Sequence, residues 1–423
     1  MKKILALLLS VIFVIGMFAG CGGNDTADTS STDGNSGIPT DFKVGFIFLH
    51  DENSTYDLNF INAAKEVKAE LGLTDEQVIF KTNVPEGNEC YEAAADLVDR
   101  GCDIVFADSF GHEAYLAQAA KEFTDVEFCH ATGTTAHTAG LANLHNAFAS
   151  IYEGRYLAGI AAGLKLNAMI ENGDFTADKA KIGYVGAYTY AEVISGYTSF
   201  YLGAKSVCPT VTMEVQFTGS WYDESSEKEA ATTLINNGCK LISQHADSMG
   251  APTACENAGV PNVSYNGSTK DSCPNTFIVS SKINWAPYFE YIINCALNNE
   301  KIADDWCKGS SDGSVELTDI NEAVAAAGTA EAIENATKAL ADGTLHVFDV
   351  STFTVTVTDK LNVSAKVDAD GHLTSFMADV DTDDNYTPDT EVISDGYFHE
   401  SEYRSAPYFD LKIDGIKLLN EAY

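Results

Sequence analysis

The feature that most constrains the fold of this chain is an internal duplication. The segment Lys43–Ile47 is matched by Lys181–Val185 at an offset of 138 residues. Val78–Phe80 is matched by Val215–Phe217 at an offset of 137 residues. A third match at the same offset lies in the helical patterns that follow these two strands. This period far exceeds the roughly 20–50 residues of solenoid repeats. The sequence therefore predicts two similar lobes, each about as long as the offset.

Within each lobe, short β-branched or aromatic runs alternate with longer helical patterns. In the first lobe we predict strands at Val44–Leu49, Val78–Lys81, Ile104–Ala107 and Val126–Cys129, and helices at 58–71, 90–100 and 112–123. This alternation with short connections is typical of an α/β fold with a parallel sheet covered by helices on both faces. Ligands of such sheets bind beyond the carboxyl ends of the strands. Two lobes with those ends facing each other would form a hinged cleft.

The first residues predict export and anchoring. Lys2 and Lys3 precede a largely apolar run from Ile4 to Phe18, which is short for a membrane span but suits a secretory signal. The run ends in Phe-Ala-Gly before Cys21, which resembles a bacterial lipobox, in which a lipid is attached to the cysteine. We therefore predict a lipid-anchored protein on the extracytoplasmic face of the cell membrane. A signal peptide that ends near a cysteine by chance is the alternative.

The whole chain divides into four predicted parts. We predict a signal peptide at 1–20, a lipidated Cys21 with a flexible Gly/Ser/Thr/Asp-rich tether over 21–41, lobe 1 at 42–146 with 268–310, and lobe 2 with a C-terminal extension at 147–267 with 311–423. In the extension, a helix is predicted over 319–342, followed by paired strands at 353–358 and 361–367.

Charge and cysteine spacing exclude several classes of site. The chain has 25 basic and 62 acidic residues, a formal charge of −37, which disfavours nucleic acid as a partner. Nine cysteines besides Cys21 lack zinc-like spacing, although one or two disulfides remain possible in an exported protein. Asp379, Asp381 and Asp383 have the spacing of a calcium loop, but the later positions lack its Gly and Glu, so a solvated turn is favoured. We predict neither a metal nor a cofactor.

The loops after the predicted strands supply aromatic rings and short polar side chains. Rings can sandwich a flat solute, and Asp, Asn and Ser can bind its hydroxyl or amide groups. The candidate ligand-binding residues are Asp51, Asn53, Tyr56, Ser109, Phe110, Tyr188, Tyr190, Trp221, His245, Asp247, Asn266 and Ser268. Trp221 packing beneath a loop is an alternative, and of Tyr188 and Tyr190 we expect one to face the cleft. His245 and Asp247 also suit an ordinary hydrogen-bonded loop pair.

Convincing catalytic motifs are missing from the sequence. There is no P-loop, no HExxH zinc motif and no SxxK followed by KTG. Gly309–Gly313 fits GxSxG, but no apolar strand precedes it, so a polar loop is favoured. We therefore predict a binding protein and keep an enzyme as a secondary hypothesis.

Several motifs follow one another in a specific order. Glu153–Gly159 reads EGRYLAG, Ser220–Asp223 reads SWYD with KEAA shortly after it, Gln244–Ser248 reads QHADS, and Asn284–Tyr288 reads NWAPY. Together with Lys181–Gly186 and Tyr265–Asn266, these stretches resemble the basic membrane protein family of ABC-transporter substrate-binding lipoproteins, which includes purine-nucleoside receptors. The resemblance covers roughly residues 42–300.

The resemblance implies a type I periplasmic-binding-protein fold with two Rossmann-like lobes, a hinge of three crossing segments and a ligand between the lobes. That ligand is often a purine nucleoside, with aromatic rings on the base and a carboxylate on the ribose. By position, Tyr56, Phe110, Tyr188 and Trp221 are the aromatic candidates. The family usually has an aspartate where this chain has Ser268, so Asp247 is the candidate substitute.

The resulting prediction is an extracytoplasmic substrate-binding protein that captures a nucleoside-like solute for the permease subunits of an ABC importer. The alternatives are a ligand-sensing receptor of the same fold that does not take part in transport, and a nucleoside-processing enzyme.

Overall fold

The computed structural model describes residues 37–380 and 387–423. The predicted signal peptide, Cys21, and Asp381 and Asp383 lie outside the described residues. The first half of the chain contains β1 (Val44–Ile47), α1 (Thr55–Glu70), β2 (Val78–Lys81), α2 (Asn88–Asp99), β3 (Ile104–Ala107), α3 (Glu113–Glu122), β4 (Glu127–Ala131) and β5 (Leu144–Ala149). The predicted strands and helices of this part are confirmed to within a few residues at their ends.

The second half repeats this order and then continues. It contains α4 (Ile151–Glu171), β6 (Lys181–Gly186), α5 (Ala191–Val207), β7 (Thr212–Phe217), α6 (Glu224–Asn236), β8 (Leu241–Gln244), α7 (Gly250–Ala258), β9 (Asn262–Tyr265) and β10 (Phe277–Ile283). The remaining elements are α8 (Ala286–Asn298), β11 (Asp305–Lys308), β12 (Val315–Leu317), α9 (Thr329–Ala341), β13 (Ala365–Val367), β14 (Leu373–Ala378), β15 (Thr390–Glu391), β16 (Ile393–Ser394), β17 (Tyr397–Phe398) and β18 (Ile416–Leu418). Short 3₁₀ turns lie at Phe110–His112, Ala177–Lys179 and Ser310–Asp312.

Two sheets form the centres of the two lobes. The first has the strand order β11-β5-β4-β3-β1-β2, and the second has the order β12-β10-β9-β8-β6-β7-β18. All neighbouring strands in them run parallel except β12, which is antiparallel to β10. Strands β6–β10 occupy the positions in the second sheet that β1–β5 occupy in the first. The predicted α/β fold with a duplicated parallel sheet is therefore confirmed.

Helices cover both faces of the first sheet, which explains why its strands are apolar. Every residue of β1 and β3 is buried, as expected for strands covered on both faces. One core, which includes Phe46, Phe60 and Trp285, lies between the sheet and helices α1 and α8. The other, which includes Leu97 and Leu116, lies under α2 and α3. Burial of these large side chains supplies the main stabilisation of the lobe.

Helices α4 and α5 of the second lobe cross at very short distance. A Cβ atom added at Gly203 would lie 2.0 Å from the carbonyl oxygen of Tyr156, and one at Gly159 would lie 2.1 Å from that of Phe200. Both distances are far below van der Waals contact, so only glycine permits this crossing. The crossing fixes the position of α4, which carries Arg155, relative to α5.

The chain passes between the two sheets at three places: after β5, after β10 and after β11. Hydrogen bonds join the crossing segments, from Ser150 N to Lys308 O at 3.0 Å and from Asn284 N to Ser314 O at 2.9 Å. The predicted return of the chain to lobe 1 lies at residue 268. The structure differs there, because β10 pairs with β9 and so extends the second sheet to Ile283.

The C-terminal extension packs on the second lobe. Strand β18 pairs in parallel with β7, and apolar residues such as Phe348 and Phe409 share one core with α4 and α5. The extension also contacts the first lobe, because Ser405 N donates a hydrogen bond to Asp305 Oδ2 at 2.9 Å.

Two local predictions in the extension were wrong. Residues 353–358 form no strand, because Thr354 and Thr356 donate their hydroxyls to Asp414 and β13 pairs with β14 instead. The helix predicted over 319–342 begins only at Thr329. Gly328 precedes it with a left-handed φ of 81°, which a continuous helix does not allow.

Nine cysteines lie in the described residues, all as free thiols, and eight of them are buried. They pack as small apolar side chains. In the same residues, no helix combines the length and apolar character needed to cross a bilayer.

Candidate functional site

A cavity of about 370 Å³ lies between the facing carboxyl ends of the two sheets. Both lobes line it, with Leu49, His50, Tyr56, Asp57, Ser109, Phe110 and Thr132 from the first and Glu192, Trp221, His245, Asp247 and Tyr265 from the second. A wider, more open cavity adjoins it at Phe110, Thr132 and Glu192.

The start of helix α1 builds the wall that the first lobe contributes. Ser54 caps the helix by accepting a hydrogen bond from Asp57 N, and its hydroxyl donates to Asp57 Oδ2 at 2.6 Å. Asp57 Oδ1 also accepts from His50 N at 2.7 Å. Tyr56 donates its hydroxyl to the carbonyl oxygen of Asp108 at 2.7 Å. These bonds fix both the ring and the carboxylate at the cavity wall.

Two neighbouring carboxyl groups have opposite pKa shifts: Asp57 lines the cavity, whereas Asp108 is fully buried beside it. Burial opposes ionisation of Asp57, but hydrogen bonds from His50 and Ser54 outweigh it, so its pKa lies below the ordinary value. Burial and the negative charge of Asp57 raise the pKa of Asp108 well above its ordinary value. The surroundings therefore favour the charged form of Asp57 and the neutral form of Asp108.

Aromatic rings of both lobes meet beside the cavity. Phe110 of the first lobe stacks on Tyr190 of the second, with ring centroids 5.2 Å apart. Tyr190 stacks in turn on Tyr188 at 5.1 Å, and Tyr188 meets Trp221 edge to face at 5.1 Å. Phe110 remains 45% exposed despite its contact. The rings at this boundary offer stacking surface to a planar ligand.

The wall of the second lobe carries a buried acid and a buried histidine. His245 Nε2 lies 3.2 Å from Glu192 Oε1. Burial raises the pKa of Asp247 well above its ordinary value, and the charges of Asp57, Glu227 and Glu192 add to the shift. In the described part of the chain, the Tyr265 hydroxyl has no hydrogen-bond partner. Buried polar groups of this kind are normally satisfied by water or a ligand.

Among the residues that the structure describes, those lining the cavity include carboxyl groups but neither lysine nor arginine. Asp57, Glu192 and Asp247 approach it from different elements, and His50 and His245 are its histidines. A ligand with a phosphate or carboxylate would meet unfavourable charge, whereas hydroxyl and N–H groups would meet acceptors. The geometry suits capture of a neutral, hydroxylated or heterocyclic solute.

Six of the twelve predicted ligand-binding residues line this cavity. These are Tyr56, Ser109, Phe110, Trp221, His245 and Asp247. The alternative of Trp221 packing away from the cleft does not match its position in the wall. Tyr190 lines the adjoining cavity, and the ring of Tyr188 stacks on that of Tyr190.

The other predicted residues lie outside the cavity for identifiable reasons. Asp51 Oδ1 accepts hydrogen bonds from the backbone and side chain of Asn53, so both residues form a surface turn. Asn266 is buried beside strand β10 and donates its backbone N–H to Ser281 O at 2.8 Å. Ser268 is exposed and accepts from Lys270 N. Ser268 therefore does not take the place expected for a ribose-binding carboxylate.

Six lining residues were absent from the predicted set: Leu49, His50, Asp57, Thr132, Glu192 and Tyr265. Asp57 lies three residues after the N-cap Ser54, which is the position of a capping residue. The sequence pattern therefore indicates a structural role and gives no sign that Asp57 lines the cavity. Tyr265 ends a strand and so resembles a core residue. Glu192 lies in the first turn of α5, directly after the Tyr188–Tyr190 loop, and that position was the available signal.

The sequence is similar to known solute-binding proteins. Residues 52–344 match the family described as ABC transporter substrate-binding protein PnrA-like. A purine-binding protein of Brucella abortus is 32% identical over 250 residues, covering 58% of this chain and 66% of that protein. A protein of Haloferax volcanii named as an ABC transporter glucose-binding protein is 32% identical over 187 residues, covering 44% of each chain. An ABC transporter nucleoside-binding protein of Lactococcus lactis is 24% identical over 256 residues, covering 59% of this chain and 66% of that protein.

Each of these matches covers slightly less than two thirds of the relative or, for the Haloferax protein, less than half. Among solved structures, an ABC transporter solute-binding protein of Aeropyrum pernix superimposes with a TM-score of 0.61 at 16% identity. The superposition covers 75% of this chain and 94% of that chain. This likeness supports the type I binding-protein fold, and part of the present chain has no counterpart in that structure.

Proposed function

The chain belongs to the family of PnrA-like ABC transporter substrate-binding proteins, and we propose that it captures a purine nucleoside between its lobes and presents it to the permease of an ABC importer. The observation that carries this proposal is the cavity itself, which both lobes line and which combines aromatic rings with carboxyl groups. The names of the Brucella and Lactococcus relatives support a purine or a nucleoside as the solute.

Each part of a nucleoside has a suitable counterpart in the cavity. Phe110 and Trp221 offer ring faces for the base, and each stacking contact of this kind contributes about 1–3 kcal/mol. The carboxyl groups of Asp57, Glu192 and Asp247 offer acceptors for ribose hydroxyls and base N–H groups. The lack of basic side chains in the lining favours a nucleoside over a nucleotide.

Binding and closure form one equilibrium. The ligand contacts residues of both lobes only when the lobes approach each other, so it stabilises the closed arrangement by its differential affinity. The permease then needs to distinguish only closed from open forms. Anchoring through a lipid on Cys21 would keep the protein beside the permease, and the signal-like first 20 residues support this.

The test is a binding screen by thermal shift and titration calorimetry. The panel contains inosine, guanosine, adenosine, adenosine monophosphate, glucose and amino acids. We expect the nucleosides to raise the melting temperature through linkage. Adenosine monophosphate should bind with an affinity at least tenfold lower than that of adenosine. A response to glucose alone would replace the nucleoside proposal with a sugar, and no response to any compound would overturn it.

Two variants test the location of the site. Trp221→Ala should weaken nucleoside binding by about tenfold or more, because it removes a ring from the cavity wall. The matched control is Tyr403→Ala, which removes a partly exposed ring of the C-terminal extension outside the cavity. Equal affinities for the two variants would place Trp221 outside the site.

A further inference from the structure

A buried arginine lies one layer behind the cavity. Arg155, in helix α4, is 1% exposed and does not line the cavity. Its Nη1 donates to the carbonyl oxygen of Gln244 at 3.1 Å, and its Nη2 lies 3.0 Å from His245 Nδ1. The guanidinium carbon lies 3.3 Å from the ring centroid of Tyr265, a stacking contact between cation and ring.

This contact determines which nitrogen of His245 carries the proton. A guanidinium group has only donors and remains charged in proteins. Nδ1 of His245 must therefore be the acceptor toward Arg155, which leaves the ring hydrogen on Nε2. The Nε2–H then donates to Glu192 Oε1 at 3.2 Å. Burial lowers the pKa of His245, and the nearby charge of Arg155 acts in the same direction.

Glu192, the last residue in this series of contacts, faces the cavity. Only 13% of its side chain is exposed. A carboxylate has about four acceptor positions, of which His245 occupies one. The opposite tautomer of His245 would turn the lone pair of Nε2 toward Glu192 and repel it. The orientation of Glu192 as an acceptor at the cavity thus depends on a residue that does not itself touch the cavity.

We propose that Arg155 is a positioning residue that locks His245 as the neutral Nε2–H tautomer and thereby holds Glu192 as a hydrogen-bond acceptor for the bound solute. The part of the solute beside Glu192 must then be an O–H or N–H donor. The inference deepens the proposed function and rests on it only for the identity of the solute.

The surroundings of His245 define what happens when Arg155 is replaced. The groups that face the histidine are Arg155 on α4, Glu192 on α5, Tyr184 on β6 and Tyr265 on β9. Without the guanidinium, Glu192 can hold a protonated His245. Its positive charge would then draw Glu192 away from the solute as the pH falls.

The first experiment reads the tautomer by nitrogen NMR of ¹⁵N-histidine-labelled protein without ligand. In the wild type we expect a protonated Nε2 and an unprotonated Nδ1 at His245 throughout pH 6–8. Arg155→Met should give mixed tautomers or a proton uptake within this range, and Arg155→Lys, which keeps a donor, should restore the Nε2–H form. A wild-type Nδ1–H tautomer, or no change in Arg155→Met, would overturn the inference whatever the ligand.

The second experiment measures inosine affinity in a double-mutant cycle. Arg155→Met and Glu192→Gln should each weaken binding by about tenfold, and the double variant should be no weaker than either single one, since both act through one interaction. A purely structural role of Arg155 would give additive losses. If Arg155→Met fails to fold, Gly196→Ala replaces it, because the added Cβ would lie 3.1 Å from His245 Nδ1.

The donor requirement is tested with inosine analogues that each lack one donor: 2′-deoxyinosine, 3′-deoxyinosine and 1-methylinosine. One of them should bind the wild type at least tenfold more weakly than inosine, and this loss should be smaller in Glu192→Gln, whose neutral amide oxygen is a weaker acceptor than a carboxylate. Equal losses in both proteins would contradict the role of Glu192. Failure of the wild type to bind inosine would overturn the proposed function and leave the tautomer result to decide the inference.

Discussion

Thr55 of the first lobe donates two hydrogen bonds to one atom of the second lobe, the carbonyl oxygen of Asp247. Its backbone N–H lies 3.1 Å and its hydroxyl 3.2 Å from that oxygen. Both residues flank the cavity, since Tyr56 follows Thr55 and Asp247 itself lines the wall. The described structure is therefore a closed arrangement in which the lobes are joined directly beside the ligand site.

Replacing Thr55 with valine should weaken this closure. Valine keeps the shape and the backbone N–H but loses the hydroxyl, which costs about 1 kcal/mol of the closed form. We expect nucleoside affinity to fall about five- to tenfold, mainly through faster dissociation, as measured by stopped-flow fluorescence. Thr55→Ser retains the hydroxyl and serves as the control. Identical dissociation rates for the two variants would contradict a role of this bond in closure.

Tyr265→Phe should separate stability from binding. The hydroxyl of Tyr265 is buried without a partner in the described residues, so its removal should raise the free energy of unfolding of the ligand-free protein by about 1 kcal/mol. Affinity for the nucleoside should fall about tenfold if the ligand satisfies that hydroxyl. Both quantities follow from urea unfolding and calorimetry.

Tyr197→Phe is the matched control for that substitution. Tyr197 is equally buried and its hydroxyl also lacks a partner in the described part of the chain, but it does not line the cavity. It should gain similar stability and bind the nucleoside as the wild type does. A loss of affinity in Tyr197→Phe as large as that in Tyr265→Phe would assign the effect to general packing.

Glu400 of the C-terminal extension should make folding stability depend on pH. It is 4% exposed, and burial raises its pKa to about 8 from an ordinary 4.5. Between these values the folded protein keeps a proton that the unfolded chain has lost. The contribution is complete below about pH 4.5 and is lost as the pH rises through about 8. Its upper limit is about 5 kcal/mol.

Glu400→Gln should therefore flatten the fall in unfolding free energy between pH 5 and pH 8.5, measured by urea denaturation. Burial also raises the pKa of Glu227 to about 7, so the relevant quantity is the difference between variant and wild type. Glu331→Gln, at an exposed position of helix α9, should leave the curve unchanged. A Glu400→Gln curve parallel to that of the wild type would exclude titration of Glu400 in this range.

Gly203→Ala tests the close crossing of helices α4 and α5. Alanine ordinarily stabilises a helix relative to glycine by about 1 kcal/mol. Here its Cβ would overlap the carbonyl oxygen of Tyr156, so we expect a loss of at least about 3 kcal/mol in chemical denaturation. Ser206→Ala, at an exposed position of the same helix, is the control. A Gly203→Ala protein as stable as this control would show that the helices can separate at low cost.

Much of the fold follows from local sequence patterns. The offset between Lys43–Ile47 and Lys181–Val185 predicts the duplicated lobe, and strands β2 and β3 begin and end at the predicted residues. These features depend on periodicity and on turn residues, which act over a few positions. The predicted strand at residues 353–358 was wrong because the observed conformation of this segment depends on hydrogen bonds to Asp414, about sixty residues away along the chain.

For the site, the sequence determined which loops reach the cleft, since in parallel sheets the loops after the strands share one edge. It did not determine which side chains within a loop face inward. Tyr188 packs behind Tyr190, and Ser268 points to solvent, whereas Glu192 and Tyr265 reach the cavity from a helix start and a strand end. Those orientations depend on how the two lobes meet and on the layer behind the wall, where Arg155 holds His245. Packing across lobes involves residues far apart in sequence, so only the tertiary structure could fix it.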